Sequence, residues 1–509
     1  MGMQHITILS NNGISSFSSK VQGNDTSGID IKWPTYEEKL ELFMYRKGGK
    51  KFLLDVERST AFQISELIWD LLKKYRGLTV EEIIKYLESS YDRSDIIDAL
   101  KEVNCVQSIG LLMPTEPSIQ YRLPDSYIQN FSIEHLFLYV TDNCNLRCSY
   151  CRNETEFKGL GSMSTHIARA SINFLLESSA NNPRCIVEFF GGEPLLNMAV
   201  ITDTVEYAEE QAKKLGKEIK FVLTTNGTLL TDKIIDFLQK HNILTMVSLD
   251  GPRELHDGCR KFPNGRGSFN IMFPKVQKLL RVHKGNTIAV STLTHYSAKE
   301  CERIISFMKE SGFKTVYMSP VNVHIPSNLD KSPDYALTSE DRQWIRRGYA
   351  DVLQSPTGEL LNIDFQGIGA TLGLIHRKEK RYYGCPRRAG ISMLAVNPNG
   401  DVYPCSNLFS YEQYKLGNLL TGVHKMDVRR RFIENSVDDT ACRRCWARYL
   451  CGGRCSVEGI LLLGDPKKVA TEKCRITRSA IKESIALYAR LHEENPERLE
   501  ELCSFGIKL

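Results

Sequence analysis

What this chain lacks narrows its class first. Across 509 residues no apolar run approaches the 18 or more needed to cross a bilayer. The opening MGMQHITILSNNG has no basic stretch followed by an apolar one, so secretion is not expected. Gly2 invites a myristoylation reading, but Ile6 stands where that signal needs Ser or Thr. Charge of either sign is not in excess: a net charge of +5, dispersed along this length, gives no argument for nucleic acid. A cytoplasmic protein is therefore expected, with no membrane and no nucleic-acid partner. The length predicts about three domains and ample material for a large core.

Cysteine, by contrast, is plentiful. Fifteen are many for a reduced compartment unless a good share bind metal. Ten fall into two patterned groups, and Cys105, Cys185, Cys259, Cys301 and Cys503 belong to neither; each of these five reads as a small buried hydrophobe. In the first group, Cys144, Cys148 and Cys151 crowd into TDNCNLRCSYC, directly after the apolar run Leu136–Val140. Three thiolates satisfy three irons of a cubane and leave the fourth open. The competing reading, structural zinc, needs a fourth Cys or His nearby, and none is there. In the second group, Cys385 and Cys405 flank MLAVNPNGDVY, which reads as a hairpin around Asn-Pro-Asn-Gly. Cys442, Cys445, Cys451 and Cys455 follow in CRRCWARYLCGGRC, and then Cys474.

Between these groups the pattern alternates strand and helix. Strands are expected at Leu136–Val140, Ile186–Phe190, Ile219–Thr224, Ile243–Leu249, Thr287–Leu293 and Thr315–Met318. Apolar runs of this length separated by helices indicate a parallel sheet with right-handed crossovers. Upstream, LELFMYRKGGKKFLLDV reads as two strands joined at Gly48–Gly49. Three helical patterns follow: Ala61 to Tyr75, one capped by Thr79, and Asp92 to Val103. Two strands with three short helices make a small winged-helix unit. A DNA-binding winged helix shares that architecture, but Glu81, Glu82 and Glu88 stand where a basic face would be needed.

The cysteine loop, followed about forty residues later by the strand end FFGGEP, resembles the radical S-adenosylmethionine (SAM) superfamily. The resemblance implies that Cys144, Cys148 and Cys151 hold a [4Fe-4S] cluster whose open iron takes the amino and carboxylate groups of SAM. Reductive cleavage would then release a 5′-deoxyadenosyl radical. It further implies SAM contacts from Gly191, Gly192, Glu193 and Pro194, with Glu193 accepting from the ammonium, and a cavity lined by Thr225 and Asn226. Tyr150 would shelter the adenine. Ser248 and Arg260 are candidates for the SAM carboxylate, with an ordinary salt bridge as the other reading of Arg260. Asp250 is open between a turn residue and a substrate contact. Six strand–helix units fit the partial (β/α)6 TIM-type barrel of this superfamily, with its site at the strands' carboxyl ends.

The seven later cysteines resemble a SPASM domain, which implies two auxiliary clusters and three [4Fe-4S] clusters in all. By that resemblance Cys385, Cys405 and Cys455 hold the nearer cluster, and Cys442, Cys445, Cys451 and Cys474 the outer one. Anaerobic sulfatase-maturating enzymes have a further cysteine in the region that here runs Pro386 to Met393 without one, and a catalytic Asp where this chain has Ser406. Three thiolates leave an open iron unless Cys503 or a non-cysteine group fills it, and serine is no general base without help. Sulfatase maturation is thus disfavoured. The stretch FLLDVERSTAFQISELIWDLLKKYRGLTVEEI resembles the PqqD-like element that binds a leader peptide as an added strand.

The expected organisation is a flexible N-terminus (1–34), a PqqD-like leader-recognition domain (35–114) and a linker (115–131). A radical SAM core (132–325), a helical bridge (326–384), a Cys-rich SPASM domain (385–480) and a C-terminal helix and tail (481–509) follow. The expected activity is thioether formation on a precursor peptide, as in sactipeptide and ranthipeptide biosynthesis. A reduced flavodoxin or ferredoxin type protein would donate electrons. Carbon–carbon crosslinking of a peptide and a non-catalytic, cluster-bearing DNA-binding regulator are the alternatives.

Overall fold

The computed structural model describes residues 5–10, 29, 41–74, 78–113, 132–151, 157, 159–321, 334–338, 340–345, 362–365, 368–385, 388–453, 455–469 and 471–504. The expected linker at 115–131 and much of the expected bridge lie outside the described residues.

The N-terminal unit is a four-stranded antiparallel sheet covered by three helices. Its strands are β1 (Ile6–Leu9), β2 (Leu42–Lys47), β3 (Lys50–Asp55) and β4 (Thr60–Ile64), in the spatial order β1-β4-β3-β2. Gly48 and Gly49 turn the β2–β3 hairpin at φ 54° and 74°, the paired positive values that a tight hairpin of matching twist requires. The helices span Glu66–Lys74, Val80–Leu87 and Arg93–Ser108. Thr79 and Glu82 close a reciprocal box at the start of the second, where Glu82 Oε2 accepts from Thr79 N at 2.8 Å. Two elements differ from the sequence expectation. Thr60–Ile64 is a strand, not the start of the first helix, because pairing with β3 outweighs an apolar spacing that suits either state. Ile6–Leu9, expected in a loose segment, is a buried strand.

The central layer follows the alternating pattern. Strands β5 (His135–Thr141), β6 (Arg184–Gly191), β7 (Glu218–Thr225), β8 (Leu244–Ser248), β9 (Thr287–Leu293) and β10 (Thr315–Pro320) pair in parallel, each with the next. They form the parallel sheet of an α/β fold, with helices between successive strands. At one side β11 (Asn362–Phe365) joins β10 in parallel. At the other side β12 (Met393–Val396) joins β5 in parallel, followed by β13 (Asp401–Tyr403), β14 (Gly417–Asn418) and β15 (Gly422–Val423) in antiparallel steps. The sheet of eleven strands stays open between β11 and β15, so it is a partial barrel. The hairpin expected between Cys385 and Cys405 is thus part of the barrel's own sheet.

The N-terminal unit is clamped to the C-terminal region through β2. Phe43 stacks on Trp446 with ring centroids 3.7 Å apart and planes 3° from parallel. The Lys482 ammonium stands over Phe43, Tyr45 and Trp446, and Tyr45 Oη donates to Lys482 O at 2.9 Å. Arg448, buried, pairs with Glu41 and with Glu57 at 3.0 Å, and Lys380 reaches the same Glu57 at 2.9 Å. Aromatic stacking of this kind adds roughly 0.5–1.5 kcal/mol beyond burial alone. Removing the cation from a buried pair costs more, because its carboxylate partners stay behind. Arg448→Ala is therefore expected to weaken the clamp by about 2 kcal/mol. Amide exchange in β2 should accelerate about thirtyfold while β5–β7 amides are unchanged; unaltered β2 protection would refute the clamp.

Candidate active site

The cysteine loop leaves the carboxyl end of β5 and is stitched to its surroundings by main-chain bonds. Gly192 N donates to Thr141 O and Glu193 N to Asn143 O, both at 2.8 Å. Further along, Arg147 N donates to Lys261 O at 2.7 Å and Ser149 N to Cys259 O at 3.0 Å. These bonds need close approach. A Cβ on Gly191 would collide with Thr141 O, and one on Gly192 with Asn143 O, so the GGEP glycines serve the packing of this loop on β6. Pro194 opens the short 3-10 turn Pro194–Asn197, where its missing N–H costs nothing.

Glu193, expected to meet an ammonium, is almost wholly buried and already holds three donors. Thr225 Oγ1 donates to its Oε1 at 2.7 Å, Leu195 N to Oε1 at 3.2 Å, and Asn226 N to Oε2 at 2.8 Å. Burial pushes its carboxyl up to about 7, against the pull of those donors. A carboxylate offers about four acceptor positions, which leaves one on Oε2 for a ligand. Asn226 continues the chain of contacts: its Nδ2 donates to Asn145 Oδ1 at 2.9 Å, and Asn145 Nδ2 to Thr228 Oγ1 at 2.8 Å. Thr225 and Asn226 thus tie the end of β7 to the cysteine loop.

The second anchor is Asp250. Arg260 donates to it through Nε at 2.8 Å and Nη2 at 3.2 Å, Tyr150 Oη donates at 2.6 Å, and Thr292 N at 2.9 Å. The Arg260 guanidinium also stands 5.4 Å from the Tyr150 ring centroid. Burial opposes charge on Asp250, but the paired guanidinium outweighs it and holds the carboxyl below its ordinary range. Of the two readings of Arg260, a SAM-carboxylate contact and an ordinary salt bridge, the geometry contains a salt bridge: its forked pair closes on Asp250, where two buried opposite charges satisfy each other. Tyr150 is fastened to the same carboxylate, so Arg260 and Asp250 position the cysteine loop from below. His256, just beneath, bonds Ser268 Oγ at 2.9 Å and is pushed down to about 4 by burial. Ser248 sits half-buried at the end of β8, paired in register with Val290. The Asp250 network went unread in the sequence, although SLDGP followed by ELHDGCR places its members within one strand-end and the next helix.

None of the fifteen cysteines, all among the described residues, forms a disulfide. Burial raises Cys144 to about 11 and Cys148 to about 12, with the neighbouring Cys151 charge adding to both. Such thiols stay protonated at neutral pH unless a metal centre supplies the positive charge to ionise them. Cys144 Sγ accepts Leu146 N at 3.4 Å, so its sulfur is offered a donor of the kind that tunes a bound cluster. Among the described residues no three His, Cys, Asp or Glu side chains close around one metal-ion position, so the fit to an iron–sulfur cluster rests on the donor set itself.

In the C-terminal domain, main-chain bonds gather the later cysteines. Arg381 N donates to Tyr449 O at 2.8 Å, joining the run into Cys385 to the short helix Arg448–Cys451. Gly452 and Gly453 both hold left-handed φ, 74° and 82°, in the turn from Cys451 to Cys455. A Cβ on Gly453 would stand 3.9 Å from Cys442 Sγ, so that turn folds over the CxxC pair. Cys445 N donates to Cys442 O at 2.7 Å, Cys405 precedes the turn Ser406–Leu408, and Cys474 lies in the first turn of the long helix Thr471–Glu494. Cys503 is buried between that helix and Ile368–Arg377, and burial pushes its thiol up to about 12. Cys185, Cys259 and Cys301 are buried as expected, whereas Cys105 is partly exposed.

This fold and cysteine loop are similar to a radical SAM core followed by a SPASM domain. The Radical SAM superfamily model matches residues 138–308, and the SPASM iron–sulfur cluster-binding domain model matches residues 385–446. The cysteine-type anaerobic sulfatase-maturating enzyme of Clostridium novyi is 23% identical over 336 residues, 64% of this chain and 88% of its own length. The solved anSMEcpe with bound AdoMet shares the fold at a TM-score of 0.60 and 21% identity, covering 71% of this chain and 99% of that one. Streptococcus suis SuiB, solved bound to its precursor peptide SuiA, superposes at 0.50 with 15% identity, over 84% of this chain and 97% of that one. The chain therefore carries domains for SAM and for iron–sulfur clusters. No helix among the described residues is long and apolar enough to cross a membrane.

Asp250→Asn removes the charge opposite a buried guanidinium and should destabilise the barrel by about 3–5 kcal/mol. A thermal midpoint lowered by several degrees in the anaerobic protein is the expected reading; an unchanged midpoint would show that Arg260 has another partner.

Proposed function

We propose that this chain is a radical SAM maturase that joins a Cys sulfur to a carbon atom within a ribosomally made precursor peptide. The observation that carries this reading is the N-terminal sheet unit clamped against the SPASM region, which places a peptide-sized sheet beside the cluster domain. The solved relative SuiB, of the same fold, is described with a precursor peptide bound. In this reading the N-terminal unit is the leader-recognition element of the PqqD-like kind.

Cys144, Cys148 and Cys151 would hold the SAM-binding cluster. Cys385, Cys405 and Cys455 would hold a nearer auxiliary cluster, and Cys442, Cys445, Cys451 and Cys474 an outer one. SAM and the clusters, when bound, supply the hydrogen-abstracting radical and take up the surplus electron, with a reduced ferredoxin or flavodoxin type donor completing the circuit. The chain's own residues do the rest. Gly191 and Gly192 let the loop pack on β6, Glu193 keeps one acceptor position for the SAM ammonium, and Thr225, Asn226 and Ser248 line the cavity. Tyr150 is held against the cavity wall by Asp250, with Arg260 behind it. Ser406, in place of an acid after Cys405, leaves no base at the position sulfatase maturation would use. In the product the sulfur and the carbon each lose one hydrogen, and a sulfur–carbon bond replaces both.

Co-expression with a Cys-bearing precursor peptide is expected to yield a product lighter by a pair of hydrogens per link and no longer labelled by iodoacetamide. The same mass loss with thiols still labelled would mean carbon–carbon coupling, and an unchanged mass would refute peptide crosslinking.

Iron content tests the cluster assignment without any turnover. Replacing Cys144, Cys148 and Cys151 together by Ala should lower iron per chain by about a third, since one cubane of the proposed three is lost. A loss of all iron, or of none, would contradict that assignment.

A further inference from the structure

One edge of the N-terminal sheet, along β4, is filled by β1. β1 pairs with β4 in antiparallel register, Ile6 opposite Ile64 and Leu9 opposite Ala61, and among the described residues makes no ladder with another strand. Beyond the ladder it is held by Glu102 and, at His5 just before it, by Ser65, whose N donates to His5 O at 2.9 Å and whose Oγ bonds His5 Nδ1 at 3.1 Å. Glu102, on the helix Arg93–Ser108, accepts Ile6 N at 2.8 Å and His5 N at 3.1 Å. Glu102 is buried, and its hydrogen-bond donors among the described residues are main-chain N–H groups, the same in every extended peptide. Ile6 and Ile8 fill the core of the N-terminal unit, and Leu9 packs into the other cluster, with Tyr45 and Phe52. The β4 edge is therefore a complete strand-addition groove, with a row of ladder partners, apolar slots two residues apart and a carboxylate clamp at one end. The opposite edge, β2, has no such groove: its exposed end carries Arg46 and Lys47.

We propose that the β4 edge is a binding site for an extended peptide, with apolar residues at alternate positions, and that Ile6–Leu9 occupies it in cis as an exchangeable strand. This rests on the reading of the chain as a peptide maturase only for the identity of the incoming peptide. Removal of β1 leaves the β4–β3–β2 ladder intact, since β1 pairs on one side alone. The apolar burial lost when Ile6, Ile8 and Leu9 leave is restored by an incoming peptide of the same pattern. What the resident strand holds over a free peptide is its tether, equivalent to an effective concentration in the mM range. Vacating the groove would strand Glu102 without donors, so the site favours exchange over emptiness.

The test uses a fluorescein-labelled peptide of this chain's own residues 3–11, MQHITILSN, with the anaerobically purified, cluster-bearing protein. By fluorescence anisotropy, a chain lacking residues 1–10 should bind that peptide at least about tenfold more tightly than the intact chain, because the tethered competitor is gone. A peptide carrying Ile6→Asp and Ile8→Asp should not bind. On the intact chain, Ile6–Leu9 amides should exchange at least about tenfold faster than those of β3, reporting local release. Equal binding by both chains, no binding by a folded truncated chain, a truncated chain that cannot fold, or β1 amides as protected as those of β3 would each make β1 a permanent strand and overturn the proposal. None of these outcomes touches the mass shift expected of the peptide product, so the two readings fail separately.

Discussion

A buried carboxylate with no cation of its own, Glu193, holds the active end of this barrel together. Its oxygens gather Leu195 N from its own strand end, and Thr225 Oγ1 and Asn226 N from the neighbouring one, while its N–H reaches back to Asn143 in the cysteine loop. Buried polar groups are expensive unless satisfied, and here satisfaction is possible only when β5, β6 and β7 end at one level. The position of Cys144, three residues past β5, is fixed by this bracket before any ligand is considered. Its carboxyl, pushed to about 7, also shows how strongly this pocket disfavours bare negative charge. A cavity of that kind suits a cationic ligand group more than an anionic one.

Asp250 and Arg260 form the complementary device on the far side of the loop. Where Glu193 works through neutral donors, Asp250 holds a full guanidinium and fastens Tyr150 with the same oxygen. Buried pairs of this sort contribute little net stability but penalise any alternative arrangement. Together they leave the loop carrying the three thiols with few ways to move. The ligands can thus be presented in advance, and metal binding need not order the loop at the same time.

The parts legible in the sequence are those with local signatures. The six barrel strands announce themselves as short apolar runs between helices, and the ten patterned cysteines by spacing, because both depend on near neighbours in the chain. What was not legible depends on remote partners. β4 lies hidden in a stretch whose apolar positions suit a helix as well, and only the facing β3 decides it. β1 is four residues in polar surroundings, with its partner some fifty residues away. Arg260 reads in the sequence as either a SAM contact or half of a salt bridge, and only the fold shows that Asp250 is the partner in such a bridge. Nor does the sequence show that glycines 191 and 192 are needed for close packing on Thr141 and Asn143 of the cysteine loop.

The junction between barrel and C-terminal domain is the more consequential of the nonlocal pairings. β12 pairs with β5 in parallel, so the strand that delivers Cys144 has β6 on one side and the SPASM hairpin on the other. Cys405 follows the return strand of that hairpin. The two cysteine groups are therefore related by continuous main-chain hydrogen bonding across β5, β12 and β13, not by a hinge. Phe409, just past Cys405, deepens the union by packing edge-on against Tyr139 of β5, 5.5 Å between ring centroids. Interiors packed like this deform little. Whatever separation the fold sets between the two sets of thiols is kept through any motion of the N-terminal unit. Any rearrangement must then fall to the peripheral sheet, whose outermost strand is held by one ladder, by Glu102 and, at His5, by Ser65.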